Sequence, residues 1–143
     1  ILNRITQNRA KGRNTFIFID EIYLLFQHEY SANFLFTLWK RVRKYGAYCT
    51  GITQNVDDLL QSHTARTMLA NSEFLIMLNQ ASTDRIELAK LLNISDLQLS
   101  YITNVDAGHG LIKVGSSLVP FANKFPKNTK LYKLMTTKPG EGA

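Results

Sequence analysis

Apolar residues gather in three short runs, and each run ends at polar side chains. The first, "FIFI" at 16–19, has no polar alternation, the pattern of a central strand buried on both faces of a parallel sheet, and it stops at Asp20 and Glu21. From Ser31 the period becomes helical: Leu35, Leu38, Trp39, Val42 and Tyr45 share one stripe, and Gly46 ends it. The same wheel sets Lys40, Arg41 and Lys44 away from the stripe and Arg43 on its border beside Trp39, from where Arg43 can lean over the sheet. A second strand follows at 47–53, "AYCTGIT", ending at Gln54. Residues 55–72 read as two short helices, with Asn55 a cap and Asp57 and Asp58 in the first turn, where the helix dipole favours acids. "FLIML" at 74–78 is the third strand, ending at Asn79 and Gln80.

A helix capped by Ser82 or Thr83 then runs through Leu92, and "SDLQ" at 95–98 is a capping box opening another, with Leu97, Tyr101 and Ile102 facing inward. "GLIKVGSSLVPF" at 110–121 alternates about a Gly-Ser-Ser turn, a hairpin appended at the sheet edge, where Pro120 is tolerated. The alternation of strands and helices predicts an α/β fold with a mainly parallel sheet. Residues 1–14 form a polar lead-in that turns into the first strand at 11–14, and the basic segment after the hairpin reads as extended, with 136–143 a flexible tail.

The length, 143 residues, suits one ordinary domain, and 45% hydrophobic with 20% charged residues excludes a disordered chain. No run is long enough to span a bilayer, and no signal-peptide pattern opens the chain. A lone cysteine, Cys49, has no partner for an internal disulfide and sits in an apolar run that favours a buried thiol. The net charge of +6 suggests attraction to polyanions, nucleic acid among them, but the basic residues are scattered in sequence and equally suit a solvated surface.

The chemistry lies at the strand ends. In an open α/β sheet ligands bind beyond the carboxyl ends of the strands, so Asp20 and Glu21, Thr53 and Gln54, and Asn79 and Gln80 would line one crest. Four apolar residues followed by Asp-Glu is the Walker B form, in which the Asp holds Mg²⁺ through water and the Glu activates the water attacking the γ-phosphate of ATP. The same pattern also fits a strand that simply ends in solvent. Gln54 can donate to a phosphate oxygen and accept from the attacking water, or it can cap the next helix. Asn79 and Gln80 read best as turn residues. His28, His63 and His109 have no zinc-ligand spacing, and no G-x-x-x-x-G-K-[ST] phosphate loop occurs.

"FIFIDEIYLLF", followed by "LWKRVRKYGAYCTGITQNVDDLL", "ANSEFLIMLNQASTDRIELAKLLNIS" and "GHGLIKVGSSLVPF", resembles the VirB/CagE/TrbE-type ATPases of conjugation and type IV secretion, within the HerA and FtsK group of ring-forming motors. The resemblance covers most of the chain. It implies that residues 1–143 are the C-terminal part, from Walker B onward, of a RecA-like P-loop ATPase domain that binds ATP and Mg²⁺. It further implies a homo-hexamer at the cytoplasmic face of the bacterial inner membrane, held there peripherally by type IV secretion channel components. Asp20 then matches the Walker B aspartate, Glu21 the catalytic glutamate, Gln54 the sensor glutamine, and Arg43 and Lys44 a basic pair that stabilises phosphoryl charge in the same subunit or across a ring interface. A solvated helix end is the alternative for that pair, and Arg85 is a further candidate for contact with a neighbouring subunit. Without a Walker A motif the piece alone is expected to be inactive, and "DEIYLLF" departs from the family pattern in its isoleucine and tyrosine. The rival readings are a DNA-pumping motor of the FtsK or coupling-protein type and a non-catalytic module whose basic tail binds an acidic partner.

Overall fold

The computed structural model describes residues 1–54 and 56–140, apart from the side chains of Ser82 and Thr83. It comprises two compact units, Ile1–Ser72 with Ile86–Asn93, and Glu73–Arg85 with Ile94–Ala143. The expected α/β architecture is present, with a parallel strand pair accompanied by helices and a C-terminal antiparallel hairpin.

In the first unit, helix α1 (Leu2–Ala10) leads through a turn at Lys11 and Gly12 into strand β1 (Thr15–Ile19). The lead-in is therefore helical, which its polar composition concealed. Its anchor is one side chain, the buried Ile5, and Asn8 Nδ2 donates to Thr15 Oγ1 at 2.9 Å. A 3₁₀ helix (Ile22–Phe26) follows β1, then helix α2 (Glu29–Arg41), whose stripe buries Ala32, Leu35 and Leu38. The last turn tightens to 3₁₀ over Val42–Tyr45, and Gly46 ends it at φ 64°, a left-handed conformation that costs glycine nothing. Because the tighter helix advances the phase, Val42 stays buried while Tyr45 comes to the surface, with the Arg9 guanidinium 5.3 Å from its ring centroid.

Strand β2 (Ala47–Gly51) pairs with β1 in parallel, from Thr15↔Ala47 to Ile19↔Gly51. Helices α3 (Val56–Gln61) and α4 (His63–Ala70) follow, as the two helical pieces predicted, with Asp57 and Asp58 in the first turn of α3 and Ser62 capping α4 through the Ala65 N–H. Asn55 lies outside the described residues. The core joins Ile5, Ile22, Leu35, Leu38, Val42, Leu59 and Met68, with Ile17, Ile19 and Trp39 packed against it.

Double-sided burial of β1 is not observed. Phe16 and Phe18 are 65% and 70% exposed, and the Phe16 ring stacks on Tyr48 with centroids 5.1 Å apart. The strand has the two-residue period of any β-strand, so Ile17 and Ile19 face the core while the phenylalanines face a side that this unit leaves uncovered. Cys49, on the neighbouring strand, is half-buried, and its desolvation raises the thiol pKa.

In the second unit, β3 (Phe74–Met77), β4 (His109–Val114) and β5 (Ser117–Ala122) form an antiparallel sheet in that order. The hairpin turns at Gly115 and Ser116, and Pro120 lies on the edge strand, as its missing N–H requires. The parallel character of the fold thus rests on β1 and β2, because β3 takes β4 as its partner. Helix α5 (Ser82–Leu92) starts in this unit and its residues from Ile86 belong to the first; the caps expected of Ser82 and Thr83 fall on side chains outside the described residues. Ser95 and Gln98 form the predicted capping box over the single turn of α6 (Asp96–Leu99).

Of the three residues expected inward after that box, only Ile102 is buried, whereas Leu97 is 74% exposed and Tyr101 is exposed as well. The chain switches to a 3₁₀ helix at Ser100–Ile102, so the α-helical stripe does not persist. The segment beyond the hairpin is not wholly extended either: Thr129 caps a short helix α7 (Lys130–Met135).

Leu38→Ala, at a site 2% exposed, is expected to cost about 3 kcal/mol of stability, while Phe18→Thr on the open face should stay within about 0.5 kcal/mol, both read from urea unfolding of the chain. A loss at Phe18 as large as that at Leu38 would show that the face is covered.

Candidate functional site

The parallel register determines what sits beside the two acids. Ile19 pairs with Gly51, so the residues leaving β1 and β2 emerge at the same end. Ile52 N–H donates to the Ile19 carbonyl at 2.8 Å, and Ile22 N–H donates to the Ile52 carbonyl at 3.0 Å. One residue of the second strand's exit therefore clamps both sides of the Asp20–Glu21 doublet.

Between those two hydrogen bonds the backbone is strained. Glu21 adopts φ 48° and ψ 46°, the left-handed region that a side chain with a Cβ enters at a cost of about 1–2 kcal/mol. Its N–H donates to Asp20 Oδ1 at 3.0 Å, which fixes one carboxylate against the next residue's backbone. Asp20 is exposed and Glu21 half-buried, and Glu21 Oε2 is shut off from solvent with no hydrogen-bond partner among the described residues. A strained glutamate that also holds an unsatisfied buried oxygen is the combination associated with functional positions.

Gly51 permits this closure. A Cβ there would stand 2.7 Å from Ile22 Cδ1 and 3.5 Å from the Trp39 ring, so its absence lets both side chains close over the strand ends directly after Glu21. Sequence reasoning did not single out Gly51; the available signal was a glycine inside a strand pattern, a common mark of close approach. Gln54 is exposed and lies three residues past Gly51, at the end of β2 that is level with the end of β1.

Arg43 and Lys44 are placed elsewhere. Both are exposed in the 3₁₀ turn that precedes β2, whose first residue pairs with Thr15 at the start of β1. The five-residue parallel pair, rising about 3.3 Å per residue, separates them from the acids by about 13 Å along the strands. The fold sets them at the opposite end of the strand pair from Asp20 and Glu21. Arg85 is half-buried in α5.

Asn79 and Gln80 are structural, as their turn-like setting predicts. Asn79 Oδ1 accepts from the Val105 N–H at 3.3 Å, Gln80 N–H donates to the Ile102 carbonyl at 2.9 Å, and the Gln80 amide donates to the Leu78 carbonyl at 3.1 Å.

Among the described residues no three His, Cys, Asp or Glu side chains cluster as a metal cage. One or two carboxylates at a strand end match instead the donor set of Mg²⁺, which keeps several waters and completes its shell with substrate phosphates.

A family model described as the TraG P-loop domain matches residues 3–113. Among solved structures, VirB4 of Thermoanaerobacter pseudethanolicus is similar, with a TM-score of 0.77, 25% sequence identity, and an alignment covering 87% of this chain and 34% of that one. The chain thus spans about a third of the length of that protein. No curated protein sequence matches.

Replacing Glu21 with glycine removes both the left-handed strain and the orphan carboxylate. Glu21→Gly is expected to stabilise the chain by about 1 kcal/mol, after the entropy that glycine adds to the unfolded state, as an upward shift of the urea midpoint. An unchanged or lower midpoint would mean that the carboxylate has a compensating partner.

Proposed function

The chain belongs to the TraG P-loop domain family, and on that premise we propose that it is the C-terminal part of an ATP-hydrolysing motor that energises conjugative transfer or type IV secretion. The observation that carries the site assignment is the strained, partly unsatisfied Glu21 beside Asp20 at the carboxyl ends of the parallel pair. That position is where α/β sheets bind ligands.

Each residue has a role in this reading. Asp20 would hold Mg²⁺ through water, its exposed carboxylate being compatible with a hydrated ion. Bound with ATP, Mg²⁺ supplies positive charge against the negative charge of the transferred phosphoryl group. Glu21 takes the proton of the attacking water as general base. The Gln54 amide orients that water, donating through Nε2 and accepting through Oε1. Arg43 and Lys44, at the far end of the strands, serve a neighbouring subunit of a ring, where a cation stabilises phosphoryl charge in trans. The phosphate-gripping loop is not among the 143 residues, so turnover requires a protein that also carries it. The motor works as a homo-hexamer at the cytoplasmic face of the membrane, docked on components of the secretion channel.

In such a protein Glu21→Gln is expected to lower ATP turnover by about 10²-fold or more while ATP binding persists, since only the base is removed. Retained hydrolysis would sink the catalytic assignment and return the acids to a solvent-exposed strand end. Adding DNA to the same assay distinguishes the motors, because a DNA pump is stimulated by it with a steep salt dependence.

Trans action of the basic pair has its own measurement. Mixing an inactive Arg43→Ala protein with the Glu21→Gln protein should restore part of the turnover, because mixed rings contain interfaces with both intact groups. No recovery in rings shown to be mixed would exclude a role across the interface.

A further inference from the structure

From Ala107 to Gly140 the chain contains no aspartate or glutamate, yet it carries six lysines, five of them between Lys124 and Lys138 and the first four of those at intervals of three residues. The lysines are interleaved with apolar side chains that the fold leaves in water. Leu131, Leu134 and Met135 on α7 are 56%, 63% and 73% exposed, and Leu131 and Met135 line a shallow groove with Phe125 and Tyr132. The segment is ordered locally, by the Thr129 hydroxyl accepting from the Tyr132 N–H at 3.2 Å and by Phe125 stacking on Tyr132 with centroids 6.5 Å apart. Lys124, Lys130, Lys133 and Lys138 make no ion pair among the described residues.

We propose that residues 124–138 dock this chain directly on an anionic lipid surface, the lysines meeting headgroup phosphates while Leu131, Leu134 and Met135 enter the boundary between headgroups and acyl chains. Three features favour lipid over the other polyanions. Clustered lysine charge attracts anionic membrane with about 1 kcal/mol per residue and needs no fixed geometry. Exposed aliphatic side chains next to those charges gain from acyl contact, which nucleic acid does not offer. The segment has no arginine for bidentate phosphate contact, and each of its two aromatic rings, Phe125 and Tyr132, already spends one face on the other. No described helix is long and apolar enough to cross a membrane. The inference is independent of the ATPase reading and replaces attachment solely through partner proteins with a surface of the chain's own.

The test is co-sedimentation of the 143-residue chain with vesicles of equimolar phosphatidylglycerol and phosphatidylcholine, against vesicles of phosphatidylcholine alone. Binding is expected to the anionic vesicles only. Lys130→Gln with Lys133→Gln should weaken it about 25-fold, two charges at about fivefold each, and Lys130→Arg with Lys133→Arg should leave it within a few fold. Leu131→Ser with Leu134→Ser, at exposed positions where the fold tolerates change, should leave binding that high salt abolishes completely, whereas the unaltered chain keeps a salt-resistant fraction. Equal binding to both vesicles, or binding insensitive to the lysine changes, overturns the proposal. So does capture by a single-stranded oligonucleotide or by polyglutamate without adsorption to anionic vesicles, which would assign the segment to nucleic acid or to an acidic protein.

Discussion

Everything at the candidate site depends on the parallel pairing of β1 with β2, continued past the strands by the backbone of Ile52. A parallel pair cannot be closed by a tight hairpin; its connection must travel the length of the strands and return, which is what α2 and its 3₁₀ extension do. The pairing aligns the two carboxyl ends, and the hydrogen bonds of Ile52 to Ile19 and Ile22 hold the intervening acids in a short, fixed loop. With those bonds on both sides, Glu21 has nowhere to relax, and the left-handed backbone is over-determined by its surroundings. A register shifted by one residue would invert the strand faces, exposing Ile17 and Ile19 and loosening the clamp together.

The strain has a physical counterpart in the packing below it. Ile22 is buried immediately after the strained residue, and it can be so only because Gly51 leaves room for its side chain and for the Trp39 ring. The helix carrying Trp39, the glycine that ends β2 and the acids that end β1 thus form one mechanical unit. Stability is given up at Glu21 and recovered a residue later in the core, the usual arrangement where a carboxylate must be held in one orientation.

Among the apolar surfaces that stay open are the phenylalanine face of β1 in the first unit and the lysine-flanked segment in the second. They differ in chemistry. The β1 face presents stacked aromatic rings with little charge, as expected of a sheet layer that packs against protein, since parallel strands are normally covered on both sides. The C-terminal segment interleaves exposed aliphatic residues with like charge, which dense protein packing would disfavour and an anionic surface accommodates.

The sequence by itself determined what short-range physics governs: the order of strands and helices, the stop at Gly46, the capping box of Ser95 and Gln98, the hairpin turn at Gly115, and the Asp-Glu doublet closing an apolar strand. Each is decided by a few neighbouring residues. Wherever the outcome depended on a partner far along the chain, the local pattern was silent or misleading. It could not show that Phe16 and Phe18 face an uncovered side, that β3 pairs with β4, or that a single buried isoleucine holds the polar lead-in as a helix. The site divides along the same line. The place of Asp20 and Glu21 at the end of an apolar strand was legible from the local pattern, whereas the left-handed Glu21, the close packing over Gly51 and the position of Arg43 and Lys44 at the opposite end follow only from parallel pairing, in which residues near in sequence become the ends of a strand apart.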